Sequence, residues 1–461
     1  MQITPADFDT FTRVLQRVSE DPSLIDDDER CKGLIAKIHR QGKKGERARG
    51  RAAARVEDRA TAATTLLVRK QEGQLPRAVG LLSCRADDTP TTLRRPAHCY
   101  ICKSPYTQVH FFYHLLCPAC ADRNYRKRTQ RADLTGRVAL VTGGRVKIGY
   151  ETALRMLRDG ARVLVTTRFP NDAARRFAAE ADVSEWRDRL SLHGLDLRHL
   201  PSVEAFASHL CETEPHLDVL INNAAQTIKR PLEFYRHLLE AETRGSEEPA
   251  SLPAVTHRAS DSAALLELGK GYPGHLDFPA YSFPAGMLDA DGQQIDLRPA
   301  NSWSARLDEV GTVEAVEAHL VNALAPFVLN SRLKPLLMRS PFPRRFIVNV
   351  SAMEGQFGRH GKTEFHPHTN MAKASLNMMT RTAARDYARD GVYMNSVDTG
   401  WITDENPAPK RERLRREDGF YAPLDCIDGM ARIYDPVARG VTETPEPVYG
   451  CFLKDYEPHP W

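Results

Sequence analysis

The feature that most constrains the fold is a series of short apolar segments that alternate with amphipathic helical ones after residue 136. Strands are predicted at Val138–Thr142, Arg162–Thr167, Leu190–Leu195, Leu217–Asn222, Phe346–Ser351 and Val392–Val397. Apolar strands separated by helices are typical of a parallel sheet that is covered by helices on both faces. The sequence therefore predicts an α/β fold with a doubly wound parallel sheet.

The first strand leads directly into a glycine-bearing turn and then a helix. The turn, called the glycine loop below, reads Thr142-Gly143-Gly144-Arg145-Val146-Lys147-Ile148-Gly149. Glycine allows a dinucleotide pyrophosphate to approach the backbone, and the helix N-terminus stabilises its charge. In this strand–turn–helix context the glycine loop predicts a Rossmann-type dinucleotide site.

The end of the second strand indicates which cofactor would bind. An acidic residue there would pair with a free ribose hydroxyl and repel a phosphate. This chain has Arg168 instead, and a guanidinium binds phosphate well. With help from Arg145 or Lys147, Arg168 predicts NADP, although a solvent-facing arginine is the alternative interpretation.

Over about residues 134–405 these and other motifs resemble the short-chain dehydrogenase/reductase superfamily. The segment 222–225, Asn-Asn-Ala-Ala, resembles the family's N-N-A-G, and residues 319–327 resemble its asparagine helix. Residues 395–403 resemble its N-x-V-x-P-G-x-x-x-T, with Thr399 in place of proline, and Lys147 stands where the glycine loop of the family has its middle glycine. The resemblance implies a nicotinamide-dependent oxidoreductase that acts on a small molecule.

The resemblance also implies the site residues. Asp196 would contact adenine, Lys373 the ribose, and Thr403 the carboxamide end of the cofactor. The full set of implied cofactor residues is Thr142, Gly143, Gly144, Arg145, Lys147, Ile148, Gly149, Arg168, Asp196, Asn223, Ala224, Lys373 and Thr403.

The catalytic relay of the family is incomplete here. Asn322, Ser351 and Lys373 match its asparagine, serine and lysine, but Thr369 stands where its tyrosine would be. A phenol has a pKa near ~10 and can be activated by a neighbouring cation, whereas an aliphatic hydroxyl is far less acidic. Thr369 could therefore hydrogen-bond a carbonyl but should not deliver a proton.

A histidine of the enlarged loop 357–368 is the predicted replacement. His366 lies seven residues before Lys373, the spacing at which the enoyl-reductase branch of the family carries its tyrosine. Imidazole, with a pKa near ~6.5, suits acid–base work. Either His366 or His368 could supply the proton, and the alternative is that these histidines only line or cap a loop.

Ahead of the sheet, two cysteine pairs predict a metal site. Cys99-x-x-Cys102 and Cys117-x-x-Cys120 could place four thiolates around one ion. Paired spacing favours structural zinc over metal-free thiols. We define the cysteine module as residues 98–131, a predicted zinc ribbon, and residues 85–97 as a predicted linker.

The rest of the chain gives coarser predictions. Residues 1–85 are predicted to form a helical N-terminal region, and residues 134–461 the Rossmann-type domain, with an insertion at about 226–312 that could be a lid, a substrate wall or an oligomer surface. The insertion is rich in Pro, Gly and Glu and delays the next clear helix until about Val313. The sequence shows no bilayer-length apolar run and no signal peptide, and most cysteines are scattered, so a cytoplasmic protein is expected.

Three functions follow from these features. The first is an NADP-dependent reductase of a carbonyl or enoyl small molecule with a reassigned proton donor. The second is an inactive NADP-binding sensor or scaffold, which the missing tyrosine favours. The third is an adaptor that uses the zinc module and the basic stretch at residues 31–70 to bind protein or, less favoured, nucleic acid.

Overall fold

The computed structural model describes residues 4–75, 91–244, 255–258, 280–289, 291–359, 361–442 and 446–461. The end of the predicted N-terminal region, the start of the predicted linker and part of the predicted insertion lie outside these residues.

Fourteen helices are named here in chain order among the described residues: α1 Pro5–Glu20, α2 Glu29–Ala63, α3 Leu66–Gln71, α4 Pro118–Lys127, α5 Lys147–Arg158, α6 Pro170–Ala178, α7 Leu200–Thr213, α8 Leu232–Arg244, α9 Thr312–His319, α10 Ala325–Arg332, α11 Lys334–Met338, α12 Pro367–Arg389, α13 Ala408–Asp418 and α14 Cys426–Thr442. The strands are β1 Thr91–His98, β2 Pro105–Val109, β3 Val138–Thr142, β4 Arg162–Thr167, β5 Leu190–Gly194, β6 Val219–Asn222, β7 Val255–Arg258, β8 Arg345–Ser351, β9 Val392–Asp398, β10 Phe452–Lys454 and β11 Glu457–His459.

Nine strands form one sheet in the order β11-β10-β9-β8-β6-β3-β4-β5-β7. All neighbours are parallel except β10 and β11, which pair antiparallel. The chain moves outward from β3 in one direction and then returns to add β6 on its other side. The carboxyl ends of β3 and β6 therefore form the switch point at which α/β folds bind ligands.

Both faces of the sheet are covered by apolar side chains, as the sequence predicted. On one face α5 and α14 pack on residues such as Val141 and Val165, and on the other α7 and α10 pack on residues such as Leu140 and Leu220. Alternate residues of the same strands thus serve two cores, which is why β3 is buried along its whole length.

The prediction of a linker at residues 85–97 is wrong, and so is the expectation that no clear helix comes before about Val313 in the predicted insertion. The predicted linker 85–97 contains β1, which starts at Thr91 and pairs antiparallel with β2. The predicted insertion contains α8, and its strand β7 extends the main sheet beside β5. Charged and proline-rich composition hid both strands, because a strand at the edge of a sheet can be short and polar.

The N-terminal region is helical in α1 and α2, and α2 is a single helix of 35 residues. Among the described residues, one helical stretch, Thr312–Arg332, has the length and composition to cross a bilayer, contrary to the expectation from the sequence. Half of it is buried inside the fold, against the sheet, so a core helix accounts for its apolar composition.

Candidate active site

A cavity of about 1670 Å³ lies over the carboxyl ends of the central strands. Most of the predicted site residues line it, and they come from both halves of the sheet. From the predicted set these are Gly143, Arg145, Lys147, Ile148, Gly149, Arg168, Asp196, Asn223, Ala224, Ser351, His366, Thr369, Lys373 and Thr403. Thr142, Gly144 and Asn322 do not line the cavity and lie just behind it.

The glycine loop is held by contacts that only glycine can make. A Cβ on Gly149 would lie 2.3 Å from Asn223 Nδ2 and 2.4 Å from the Gly143 carbonyl oxygen, and a Cβ on Gly143 would lie 2.9 Å from Ala224 Cα. Asn223 Nδ2 donates to the carbonyl oxygens of Thr142 and Gly143, at 3.0 and 3.2 Å. These contacts join the ends of β3 and β6 at the switch point.

Lys147, which the sequence predicts to stand where the family has a glycine, adopts a backbone conformation typical of glycine. Its φ is +54°, in the left-handed region that costs an ordinary residue about 1–2 kcal/mol. Burial opposes its charge, but the carboxylates of Glu405 and Asp291 raise the pKa of its ammonium group. The loop therefore follows the course that glycine would give it, with an added cation facing the cavity.

Arg168 follows β4 at the other side of the glycine loop. Its guanidinium lies over the ring of Tyr235, 4.5 Å from the centroid, and Asp196 helps to raise its pKa. Asp196 itself is held by Arg198, whose Nη2 donates to its Oδ2 at 2.6 Å. The aromatic ring comes from α8, within the predicted insertion, so that segment builds part of the wall around Arg168.

Arg145, the predicted assistant of Arg168, is committed to other partners. Its Nη1 donates to Asp172 Oδ2 at 2.7 Å and its Nη2 to Gln293 Oε1 at 3.0 Å. Arg145 thus ties α6 to the insertion, and its charge is largely neutralised by Asp172.

Asn322 lies in a π-helical turn, Leu320–Leu324, between α9 and α10. Its side chain accepts from the Gln226 amide and donates to the Gln226 carbonyl, each at 2.8 Å. The π-turn is a feature found often at functional sites. Here it places Asn322 as a buried clamp on the loop after β6.

At the other end of the cavity, Ser351, Thr369 and Lys373 lie together, and each is almost fully buried. Ser351 Oγ donates to Asn377 Oδ1 at 2.6 Å, and Lys373 Nζ donates to the Val350 carbonyl at 2.8 Å. Burial lowers the pKa of Lys373 to about 8. Thr369 Oγ1 donates to the Thr227 carbonyl at 3.0 Å, so its proton already has an acceptor.

The two candidate histidines are placed differently. His366 lines the cavity, stacks on Trp303 with ring centroids 4.0 Å apart, and has Nδ1 2.9 Å from the Trp303 carbonyl oxygen. His368 is buried outside the cavity, with Nε2 3.8 Å from Glu314. Burial lowers the pKa of both imidazoles.

The four paired cysteines converge as predicted. Their sulfur atoms all lie within 4.8 Å of one another, and the Sγ atoms of Cys102 and Cys117 are 3.7 Å apart. Tetrahedral zinc with Zn–S bonds near ~2.3 Å needs sulfur atoms roughly 3.8 Å apart. The residues therefore fit a four-thiolate zinc site.

The cysteine module packs directly on the sheet domain. Its apolar core, which includes Tyr106 and Phe112, is shared with Leu424 from the segment before α14. The buried Arg128 donates to Asp425 at 2.7 Å and lies 2.8 Å from Asp428. The module thus forms a wall of the cavity.

Residues that sequence reasoning missed also line the cavity, Asp398 and Tyr100 among them. The Tyr100 hydroxyl accepts from the Trp401 amide at 3.0 Å. Asp398 ends β9 and is only 6% exposed. An acid directly after the predicted strand Val392–Val397 was the available signal for Asp398, because buried carboxylates are rare without a role.

Comparisons with known proteins agree with this architecture. Residues 137–240 match the family model for short chain dehydrogenase, and residues 300–425 match the model described as Enoyl-(Acyl carrier protein) reductase. The chain belongs to the short-chain dehydrogenase/reductase superfamily.

Three relatives illustrate the range of similarity. Uncharacterized protein R665 of Acanthamoeba polyphaga mimivirus is 33% identical over 353 residues, which cover 74% of this chain and 71% of that protein. Human dehydrogenase/reductase SDR family member 13 is 42% identical over 180 residues, 38% of this chain and 47% of that one. NADPH-bound carbonyl reductase from chicken fatty liver superposes with a TM-score of 0.45 at 16% identity, over 71% of this chain and 100% of that chain. The match therefore spans less than half of the human relative.

Proposed function

We propose that this short-chain dehydrogenase/reductase is an NADP-dependent oxidoreductase that reduces a carbonyl or enoyl group of a small molecule. The observation that supports the proposal is a single cavity lined by Arg168 at one end and by Ser351 and Lys373 at the other. NADPH, when bound, supplies a hydride. The residues at each end then account for holding the cofactor and for polarising the group that is reduced.

At the first end, Arg168 would bind the 2′-phosphate. The Arg168 guanidinium lies over the Tyr235 ring, and a guanidinium can donate two parallel hydrogen bonds to phosphate. Lys147 adds a second positive charge from the glycine loop. An acid that would repel the phosphate is absent from this position, because residues 166–168 read Thr-Thr-Arg.

At the second end, Ser351 would hydrogen-bond the substrate oxygen and Lys373 the ribose. The ammonium group of Lys373 is almost fully buried at the base of the cavity. Its positive charge would favour negative charge on the substrate oxygen as the hydride arrives. The sequence-based prediction of His366 as proton donor stays a prediction.

Binding measurements with Arg168→Ala test the cofactor assignment. Charge-assisted hydrogen bonds contribute about 1.5–3 kcal/mol, so NADPH affinity should fall roughly 10- to 100-fold while NADH affinity changes little. Arg332→Ala, which removes a surface arginine paired with Glu204, is the matched control. Equal losses of affinity for NADPH and NADH would contradict NADP selectivity.

A separate outcome concerns the activity itself. Tight NADPH binding with no hydride transfer to carbonyl or enoyl compounds would establish a cofactor-binding protein without this activity.

We also propose that Cys99, Cys102, Cys117 and Cys120 bind structural zinc. Four closely spaced thiols and no open ligand position suit a structural site and not a catalytic one. Free thiols of this kind suit a reducing compartment such as the cytoplasm. Metal analysis of the purified chain should find one zinc per chain, and its absence would contradict the site.

A further inference from the structure

A row of three polar side chains crosses the carboxyl ends of β8, β9 and β10. Ser351 is the register partner of Asp398, and Asp398 is the partner of Lys454. Register partners in parallel strands project to the same face, with strands ~4.8 Å apart. All three residues line the cavity, so Asp398 is the neighbour of Ser351 on one face of the sheet. The end of the cavity that holds Ser351 and Lys373 is called the reaction end below.

The surroundings of Asp398 favour its protonated form. Burial, and then the negative charges of Asp455 and Glu354, raise the pKa of its carboxyl to about 6. Lys454 opposes this shift, but its ammonium group is 2.7 Å from Asp455. From the cysteine module, Tyr100 faces the same carboxyl with a phenol whose pKa is raised by burial and by Asp398 itself. Lys373 faces Glu354 across the same end of the cavity.

The candidates for proton donation that the sequence suggested are less well placed. The Thr369 hydroxyl donates to the Thr227 carbonyl, and His368 does not line the cavity. His366 lines it, but its ring is held against Trp303 by stacking and by the Trp303 carbonyl.

We propose that the Asp398 carboxyl delivers the proton in place of the missing tyrosine. This inference rests on the proposed reductase function. The hydride of NADPH forms a new C–H bond at the carbonyl carbon, and the cofactor is oxidised as the carbonyl is reduced. The O–H bond of Asp398 breaks as the substrate oxygen gains the proton, and the carboxylate then regains a proton from water.

Protonation of Asp398 should determine how the rate of reduction depends on pH. A donor must be protonated, so reduction should be fast below the pKa of Asp398 and should slow as the pH rises through it. Loss of the Lys373 proton at higher pH would add a second decline. The groups that face Asp398, namely Glu354, Asp455, Lys454 and Tyr100, set the position of the first decline.

Single-turnover oxidation of NADPH with para-nitrobenzaldehyde or cyclohexenone tests the role of Asp398. General acid catalysis contributes about 10²- to 10⁴-fold, so Asp398→Asn should slow hydride transfer at least ~100-fold. NADPH binding should stay within about threefold, because the lost interaction is made only during reaction. Asp398→Glu should restore part of the rate, and the first pH decline should vanish in Asp398→Asn. Asp386→Asn, on the outer face of α12 beside Lys334, is the control.

The outcomes separate the two proposals. Wild-type protein that binds NADPH but reduces neither probe overturns the reductase function and, with it, the role of Asp398. If Asp398→Asn keeps the wild-type rate, the role of Asp398 as proton donor is wrong, but the reductase function stands. The same holds if His366→Ala abolishes the reaction and Asp398→Asn does not. If Asp398→Asn fails to fold, the wild-type pH profile and Asp398→Glu decide, since a flat profile near pH 6 contradicts the proposal.

Discussion

The two ends of the cavity are built from different kinds of contact. At the glycine-loop end, Gly143 and Gly149 approach neighbouring atoms so closely that any side chain would collide. At the reaction end, Lys373 and Asp398 are buried ionisable groups whose pKa values are shifted by their surroundings. The first end depends on backbone shape and the second on side-chain chemistry.

This difference bears on Thr369, which the sequence predicts to stand where the family carries its tyrosine. A collision in the glycine loop would move backbone that joins two central strands. At the reaction end, Thr369 lines the cavity and donates one hydrogen bond to the Thr227 carbonyl. We therefore expect side-chain substitutions at the reaction end to leave the sheet intact.

The largest effect is expected from loss of zinc. It should destabilise the cysteine module, which forms a wall of the cavity, and leave the strands beside the glycine loop intact. Structural zinc contributes on the order of 10 kcal/mol in isolated zinc peptides, so Cys117→Ser or metal removal should unfold the cysteine module. Hydrogen exchange should show loss of protection from β1 to α4 and in the segment around Leu424, while β3 and β6 stay protected. Cys211→Ser, which changes a cysteine outside the cluster, should leave metal and protection unchanged. If β3 and β6 lost as much protection as the cysteine module, the two ends of the cavity would not be structurally independent.

A smaller effect is expected from crowding the glycine loop. In Gly149→Ala the new Cβ would meet Asn223 Nδ2 at 2.3 Å and a backbone carbonyl at 2.4 Å. Because backbone must move, we expect a loss of about 1–3 kcal/mol in unfolding free energy, together with weaker NADPH binding. Denaturant unfolding and cofactor titration measure the two effects.

Gly42→Ala is the matched control for that substitution. Gly42 lies within α2, and a Cβ there would have no neighbour within 4 Å. Alanine in an open helical position should stabilise the chain by about 0.5–1 kcal/mol. If Gly149→Ala were as stable as wild type, the backbone of the glycine loop would have to be able to move and accommodate the new Cβ.

The parts of the fold that could be predicted from the sequence are those that depend on residues close together in the chain. The central strands and the glycine loop follow from local apolar runs and from a motif whose residues are neighbours in the chain, and β4 lies at the predicted residues. Strands β1 and β7 were missed because their partners, and not their composition, make them strands. Pairing between distant segments is set by tertiary structure.

The same limit applies to the candidate site. Arg168 and Lys373 could be named from motif positions, and both line the cavity. The proposed role of Asp398 could not be named in this way, because it rests on the register of Asp398 with Ser351 and Lys454. The partners of Arg145 were equally hidden, since Gln293 is 148 residues away along the chain.

The smallest expected effect concerns Thr369 itself. In Thr369→Val the hydroxyl is replaced by a methyl group of similar size, and the Thr227 carbonyl loses its donor. The unfolding free energy should fall by about 0.5–1.5 kcal/mol, the usual net contribution of one neutral hydrogen bond. Hydride transfer to para-nitrobenzaldehyde should slow by no more than about tenfold, because the loss of a neutral hydrogen bond of about 0.5–1.5 kcal/mol corresponds to a rate change of that size at most. If Thr369→Val slowed the reaction as strongly as Asp398→Asn, the Thr369 hydroxyl would have to take part in proton transfer. The proton would then pass through the position at which the family carries its tyrosine.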